Sequence, residues 1–119
     1  MFNFFKKEKK DNLVEPKKDP FPTQEDLKNL IIIDIRDEED IKHYGKYLNS
    51  ICIPFDEYFG SKLLMLDKSK KYGIMDLRGD KAKEATLIAK KVGLDVKELK
   101  GGFFYISEIL NIKPIKDKK

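Results

Sequence analysis

The 119-residue chain has no tryptophan, one cysteine and one histidine, and each scarcity removes a class of chemistry. A lone Cys52 cannot form an internal disulfide, so the fold must rest on packing. Cys52 with His43 is too small a set for a Cys/His zinc centre, and neither a metal nor another cofactor is expected. Such cysteine usage suits a reducing, cytoplasmic setting. Long hydrophobic runs are missing as well. The longest, Leu30 to Ile33, has strand length, far short of the roughly 20 apolar residues that cross a bilayer. Met1 to Lys10 sets aromatics before lysines without an apolar segment or a small-residue cleavage site, so no signal peptide is expected.

Charge of one sign is also lacking where it would matter. The formal net charge is +4, but residues 1–20 carry six lysines against four acids and residues 113–119 carry four lysines against one. The remaining 15 basic and 16 acidic residues leave the body of the chain at −1. A nucleic-acid binder concentrates basic charge on its folded face, often with stacking aromatics, so nucleic acid is not the expected partner. Phe2, Phe4 and Phe5 beside Lys6 and Lys7 suit a membrane interface, but three phenylalanines offer too little area for stable insertion.

What is present is enough for one domain. Hydrophobic residues make up 40% of the chain, which supports a core. Lys6 to Pro22 is rich in Lys, Asp, Glu and Pro, and a basic, flexible segment is expected over residues 1–22. The domain is expected over 23–112, with a lysine-rich tail over 113–119. Thr23 followed by Asp26 has the pattern of a capping box, opening a short helix to about Asn29. Leu30 to Ile35 is a continuous β-branched run, the mark of a strand buried on both faces and hence of a parallel sheet. Asp37 to Tyr44 reads as a helix with acids in its first turn, closed by Gly45. Ser50 to Ile53 is a second strand stopped by Pro54, and Phe55 to Leu66 a helical or turn-rich stretch that Gly60 should break. Lys71 to Met75 is a third strand. Lys81 to Val92 carries Ala82, Ala85, Ile88, Ala89 and Val92 at helical spacing, with Gly93 as its cap. Val96 to Leu99 is a fourth strand, Gly101-Gly102 a turn, and Phe103 to Leu110 a last helix. Strands alternating with helices predict an α/β fold, a parallel sheet flanked by helices on both faces.

In such sheets the ligand site lies beyond the carboxyl ends of the strands. The turn Asp76-Leu77-Arg78-Gly79-Asp80, between the third strand and the helix beginning near Lys81, is therefore the expected functional loop. Its amides can converge at the helix start and form an anion cradle.

Four stretches resemble the rhodanese-like family. Asp34-Ile35-Arg36, followed by Asp37-Glu38-Glu39-Asp40, is similar to the family's Asp, apolar, Arg signature with its acidic helix. Tyr47-Leu48-Asn49-Ser50-Ile51-Cys52-Ile53-Pro54 resembles the stretch that usually reads His-Ile-Pro-Gly-Ala-x-x-Ile-Pro. Gly73 to Gly93 matches the active-site segment in length, and Leu99-Lys100-Gly101-Gly102 followed by aromatics resembles the closing Leu-x-Gly-Gly motif. The matches run in family order over roughly residues 30–106. Departures fall on the chemistry. Counted back from Gly93, Asp76 stands at the position of the family's nucleophilic cysteine. Lys81 closes the loop where Arg is common, Ala82 follows in place of a small polar residue, and Lys46 stands where a histidine is frequent. Gly79 keeps its usual identity.

A sulfurtransferase of this kind needs a thiolate that attacks a sulfane sulfur and holds it as a persulfide. A carboxylate cannot do so, but its oxygens can accept the same amide hydrogen bonds. Asp76 is thus expected to fill the anion site from within and to repel thiosulfate or phosphate. The resemblance implies a catalytically inactive module, with another protein as the expected partner through Leu77 to Lys81. The competing enzyme reading places sulfurtransfer or persulfide carriage on Cys52, although a cysteine inside Ile-Cys-Ile is expected to be a small buried hydrophobe. Phosphoryl chemistry on Asp76 would need magnesium held by further acids, for which Asp34 and Asp80 are candidates, but Asp34 in an Asp-x-Arg motif is expected to pair locally. Arg78 and Lys81 are basic residues able to meet an anionic partner. His43 is expected on a helix surface, and Phe103, Phe104 and Tyr105 are expected to pack the last helix.

Overall fold

The computed structural model describes residues 20–116. The expected flexible segment falls almost wholly on residues 1–19, outside the described residues, as do the last three lysine-tail positions, 117–119. The order of elements is α1 (Gln24–Lys28), β1 (Ile31–Asp34), α2 (Glu38–Tyr44), β2 (Ser50–Cys52), α3 (Phe59–Leu63), β3 (Lys71–Met75), α4 (Ala82–Lys91), β4 (Asp95–Glu98) and α5 (Gly102–Phe104). A π-helical turn, Tyr105–Ile109, follows. The strands form one parallel sheet in the order β2-β1-β3-β4, with Ile33 opposite both Ile51 and Ile74.

The two-residue period of β1 and β3 builds two cores. Ile33 and Ile74 face one side, against Phe59 and Leu63 of α3 and Ala82, Ala85 and Ala89 of α4. Ile32 and Met75 face the other, against Leu27 of α1, Tyr47, Leu99, Phe103 and Ile106. Helices therefore cover both faces, which explains why β1 reads as unbroken isoleucine rather than alternating. Each such isoleucine contributes roughly 1.5–3 kcal/mol on burial. Gly73 makes room on the second face: a Cβ there would lie 2.9 Å from Leu99 Cδ2.

Helix ends follow local chemistry. Thr23 Oγ1 accepts from the Asp26 amide at 3.1 Å while Asp26 Oδ2 accepts from the Thr23 amide at 2.9 Å, so the capping box is formed. Asp37 Oδ1 caps α2 by accepting from the Asp40 amide.

Three expectations need correction. Gly60 lies inside α3 instead of breaking it, because Phe59 and Leu63, one turn apart, are both buried and their packing outweighs glycine's poor helix propensity. Cys52 is exposed rather than buried: β2 is a three-residue edge strand, and Ile53 beyond it carries the inward side chain. The last helix is not uniform. After α5, the Leu110 amide donates to Tyr105 O at 3.0 Å, an i to i−5 bond that widens the turn. The segment then continues to an antiparallel bridge between Ile115 and Lys46, which seats the start of the lysine tail against the loop after α2.

Candidate functional site

The chain leaves β1 for β2 on one side of the sheet and then crosses to β3 on β1's other flank. The segments after β1 and β3 thus diverge, and a crevice opens beyond their carboxyl ends. Residues 76–81 form its floor. Asp76 is buried, and its carboxylate lies within the loop's own turn. Oδ1 accepts from the Gly79 amide at 2.6 Å, and Oδ2 accepts from the amides of Lys81 at 2.6 Å and Ala82 at 2.9 Å. Lys81 is the N-cap residue of α4 but its own side chain caps nothing. Asp76 supplies that function from five residues upstream of Lys81, satisfying amides that the helix leaves orphaned and setting a negative charge at the positive end of the dipole.

The two glycine motifs close around this carboxylate. Gly79 has φ +100° and Gly102 φ +65°, both in the left-handed region. A Cβ on Gly79 would meet Gly101 N at 2.9 Å, and one on Gly102 would meet Asp76 Oδ1 at 2.6 Å. The backbone bonds from Phe103 N to Asp76 O (2.8 Å) and from Phe104 N to Leu77 O (3.2 Å) pin the two segments together. Gly101-Gly102 is thus a buttress of the loop as well as a turn. Gly102→Ala is expected to cost about 2–3 kcal/mol, by backbone strain and contact with the carboxylate, and to broaden the amide resonances of Gly79 and Lys81. Unchanged stability would remove the buttress.

Behind the loop lies an ion pair with no side-chain exposure on either partner. Arg36 Nε donates to Asp34 Oδ1 at 2.9 Å and Nη2 to Oδ2 at 2.7 Å, and Nη2 also donates to Gly45 O at 2.8 Å. The guanidinium carbon sits 4.4 Å from the centre of the Phe103 ring. The aromatic face partly compensates Nη1, which has no hydrogen-bond partner. Asp34 therefore pairs locally, as the Asp-x-Arg motif suggested, and is not free to join Asp76 around a cation.

A cavity of about 330 Å³ opens over the loop. The loop contributes Asp76, Leu77, Arg78, Asp80 and Lys81. The segment after β1 adds Ile35, Arg36, Asp37 and Asp40, and the segment after β2 adds Pro54, Phe55 and Asp56. The structure thus brings the loop residues and Arg36 to one crevice, with Gly79, Gly101 and Gly102 shaping it from below. The sequence placed Asp37 and Asp40 in the acidic first turn of a helix and in the family signature, and Phe55 and Asp56 in a helical or turn-rich stretch, with no part in the site. The carboxyl-end rule applied to β1 and β2 as well as β3 would have found them. His43 is exposed on α2 with its ring edge-on to Tyr44, away from this cavity, and Cys52 does not line it. Although exposed, Cys52 is crowded enough that desolvation, and then the Asp34 carboxylate, push its thiol pKa up.

Residues 23–108 match the family model described as the rhodanese-like domain. No functionally curated protein matches the chain. Among solved structures, a rhodanese-related protein from Thermoplasma volcanium is 28% identical with a TM-score of 0.63, over 76% of this chain and 86% of that one. A Rhodanese_3-like domain from an Anabaena protein is 25% identical with a TM-score of 0.58, over 67% of this chain and 92% of that one. A rhodanese-like domain protein from Staphylococcus aureus, 24% identical over 67% of this chain and 83% of its own, has a TM-score of 0.58 and shares the fold. With the parallel sheet, the loop at its carboxyl end and a family match across most of the described residues, the chain belongs to the rhodanese-like domain family.

Proposed function

We propose that this protein is a catalytically inactive rhodanese-like module that binds a protein partner through the loop Leu77 to Lys81. One observation carries the reading: three amides of the loop and the first residue of α4, which in a sulfur carrier would serve a bound anion, are occupied by the carboxylate of Asp76. Asp76 stands at the nucleophile position by family register, and a carboxylate cannot carry a persulfide. An incoming thiosulfate would meet a fixed negative charge where the amides of Gly79, Lys81 and Ala82 are already taken. The reading predicts no thiocyanate above the buffer rate when the protein is given thiosulfate and cyanide. Turnover that depends on any residue of the chain would end it.

Cys52 supports a second reading, as a sulfur carrier, only through its exposure at the carboxyl end of β2. Its chemistry argues the other way. A thiol whose pKa is raised holds less thiolate at neutral pH, and thiolate is the attacking form. Alkylation of Cys52 by iodoacetamide at pH 7 is expected to run slower than that of a free cysteine peptide, and to accelerate as the pH is raised toward its elevated pKa. Mass spectrometry after treatment with a sulfane-sulfur donor should find no added sulfur. Faster alkylation than the peptide, with a persulfide mass on Cys52, would transfer the proposal to this residue.

A further inference from the structure

The cavity over the loop carries the wrong charge for the ligand its fold would ordinarily take. Asp37, Asp40, Asp56 and Asp80 surround it and Asp76 closes its floor, against three lining cations. One of those cations, Arg36, is already consumed by Asp34 below. A second, Arg78, has its guanidinium 5.6 Å from the Phe104 ring, drawn to the aromatic side of the loop. Lys81 is exposed at the start of α4. Among the described residues, none of the four surrounding aspartates forms an ion pair. Asp37 and Asp56, both exposed, each spend one oxygen on a nearby backbone amide, at 2.9 Å in both cases, which fixes the carboxylates in place and leaves one oxygen of each for a ligand. Between the acids the walls are apolar, made by Ile35, Pro54, Phe55 and Leu77. Apolar walls with a negative mouth suit a side chain that has an aliphatic stem and a cationic head.

We infer that the cavity receives an arginine or lysine side chain of the partner protein, its stem against Phe55 and Leu77 and its head among Asp40, Asp56 and Asp80. This deepens the binding-module reading and rests on it. Filling the amide cradle from within does more than remove an anion site: Asp76 adds a buried charge to a mouth already acidic, so the field at the loop favours cations. Guanidinium fits best, because it can bridge two carboxylates with paired hydrogen bonds and lay its face on an aromatic wall.

The test is an amide NMR titration of the full chain with acetyl-Gly-Gly-Arg-Gly-Gly-amide, its glutamate-centred counterpart, and thiosulfate. The arginine peptide is expected to shift the resonances of Asp37, Asp56 and Leu77 to Lys81 saturably, and the glutamate peptide to leave them in place. The D40N/D80N variant, which removes two rim charges that make no side-chain hydrogen bond among the described residues, should weaken arginine-peptide binding about fivefold, with only a small drop in melting temperature from the lost first-turn acid of α2. No saturable shift with the arginine peptide, equal shifts with the glutamate peptide, or undiminished binding in the variant would each overturn the inference. Thiosulfate separates the two claims. Loop shifts with thiosulfate would overturn the parent reading, whereas silence with both thiosulfate and the arginine peptide overturns only the cation site.

Discussion

Replacing Asp76 with alanine is expected to destabilise the domain by roughly 3–5 kcal/mol. The carboxylate accepts three amide hydrogen bonds, and bonds to a charged acceptor contribute roughly 1.5–3 kcal/mol each. The Gly79 and Lys81 bonds are only part-buried, so water recovers some of the loss there, while the Ala82 bond is buried and its amide would be orphaned. The total accordingly falls well short of three full bonds. Asp76→Asn should cost about half as much. Its carboxamide oxygen can keep the Lys81 and Ala82 donors, but its NH2 then faces the Gly79 amide, donor against donor. Urea denaturation of the three proteins measures the series. A loss below about 1 kcal/mol for the alanine variant would mean that the carboxylate does not organise the start of α4.

Arg36→Ala is the second large effect, also expected at about 3–5 kcal/mol. The substitution leaves Asp34, with no side-chain exposure, as an uncompensated buried charge on the sheet face of Ile32 and Phe103. It also removes the donor to Gly45 O and the guanidinium packed on Phe103. Removing both charges at once should do less harm. Asp34→Leu with Arg36→Met replaces the pair by apolar groups and is expected to recover at least half of the loss, since a buried ion pair is dear to break and cheap to exchange for hydrocarbon. Equal destabilisation by the single and double variants would show that the pair stabilises in its own right. The two sites are adjacent, as Arg36 and Asp76 line one cavity, so Arg36→Ala should also perturb the amide resonances of the loop.

The fold was legible because its strongest signals are local. Three consecutive isoleucines before Asp34 fit a strand covered on both faces, and the alanine spacing of α4 fits one helical face. Thr23 with Asp26 announced its capping box through side chains that reach backbone three residues away, whereas Asp37, expected inside the helix, is its cap. What sequence missed was decided by tertiary placement. Gly60 is helical because Phe59 and Leu63 are both buried in one core, and Cys52 is exposed because β2 lies at the sheet edge. Neither the partner strands nor the edge can be read from Ile-Cys-Ile alone. The same holds at the site. The loop 76–81 was found from its place between a strand and a helix, and its carboxylate was expected to satisfy its own amides. Its contact with Gly102, some 26 positions on, and the acids that arrive from behind β1 and β2 depend on which strand ends lie side by side.

The central claim, that Asp76 fills the anion cradle, is tested most directly by following the amide resonances of Gly79, Lys81 and Ala82 while thiosulfate is added. In the unmodified protein these resonances should not move beyond the general effect of salt. In Asp76→Ala they should shift saturably, and the variant's melting temperature should rise with thiosulfate concentration as the vacated donors are bound. A saturable shift of the same three amides in the unmodified protein would contradict the account.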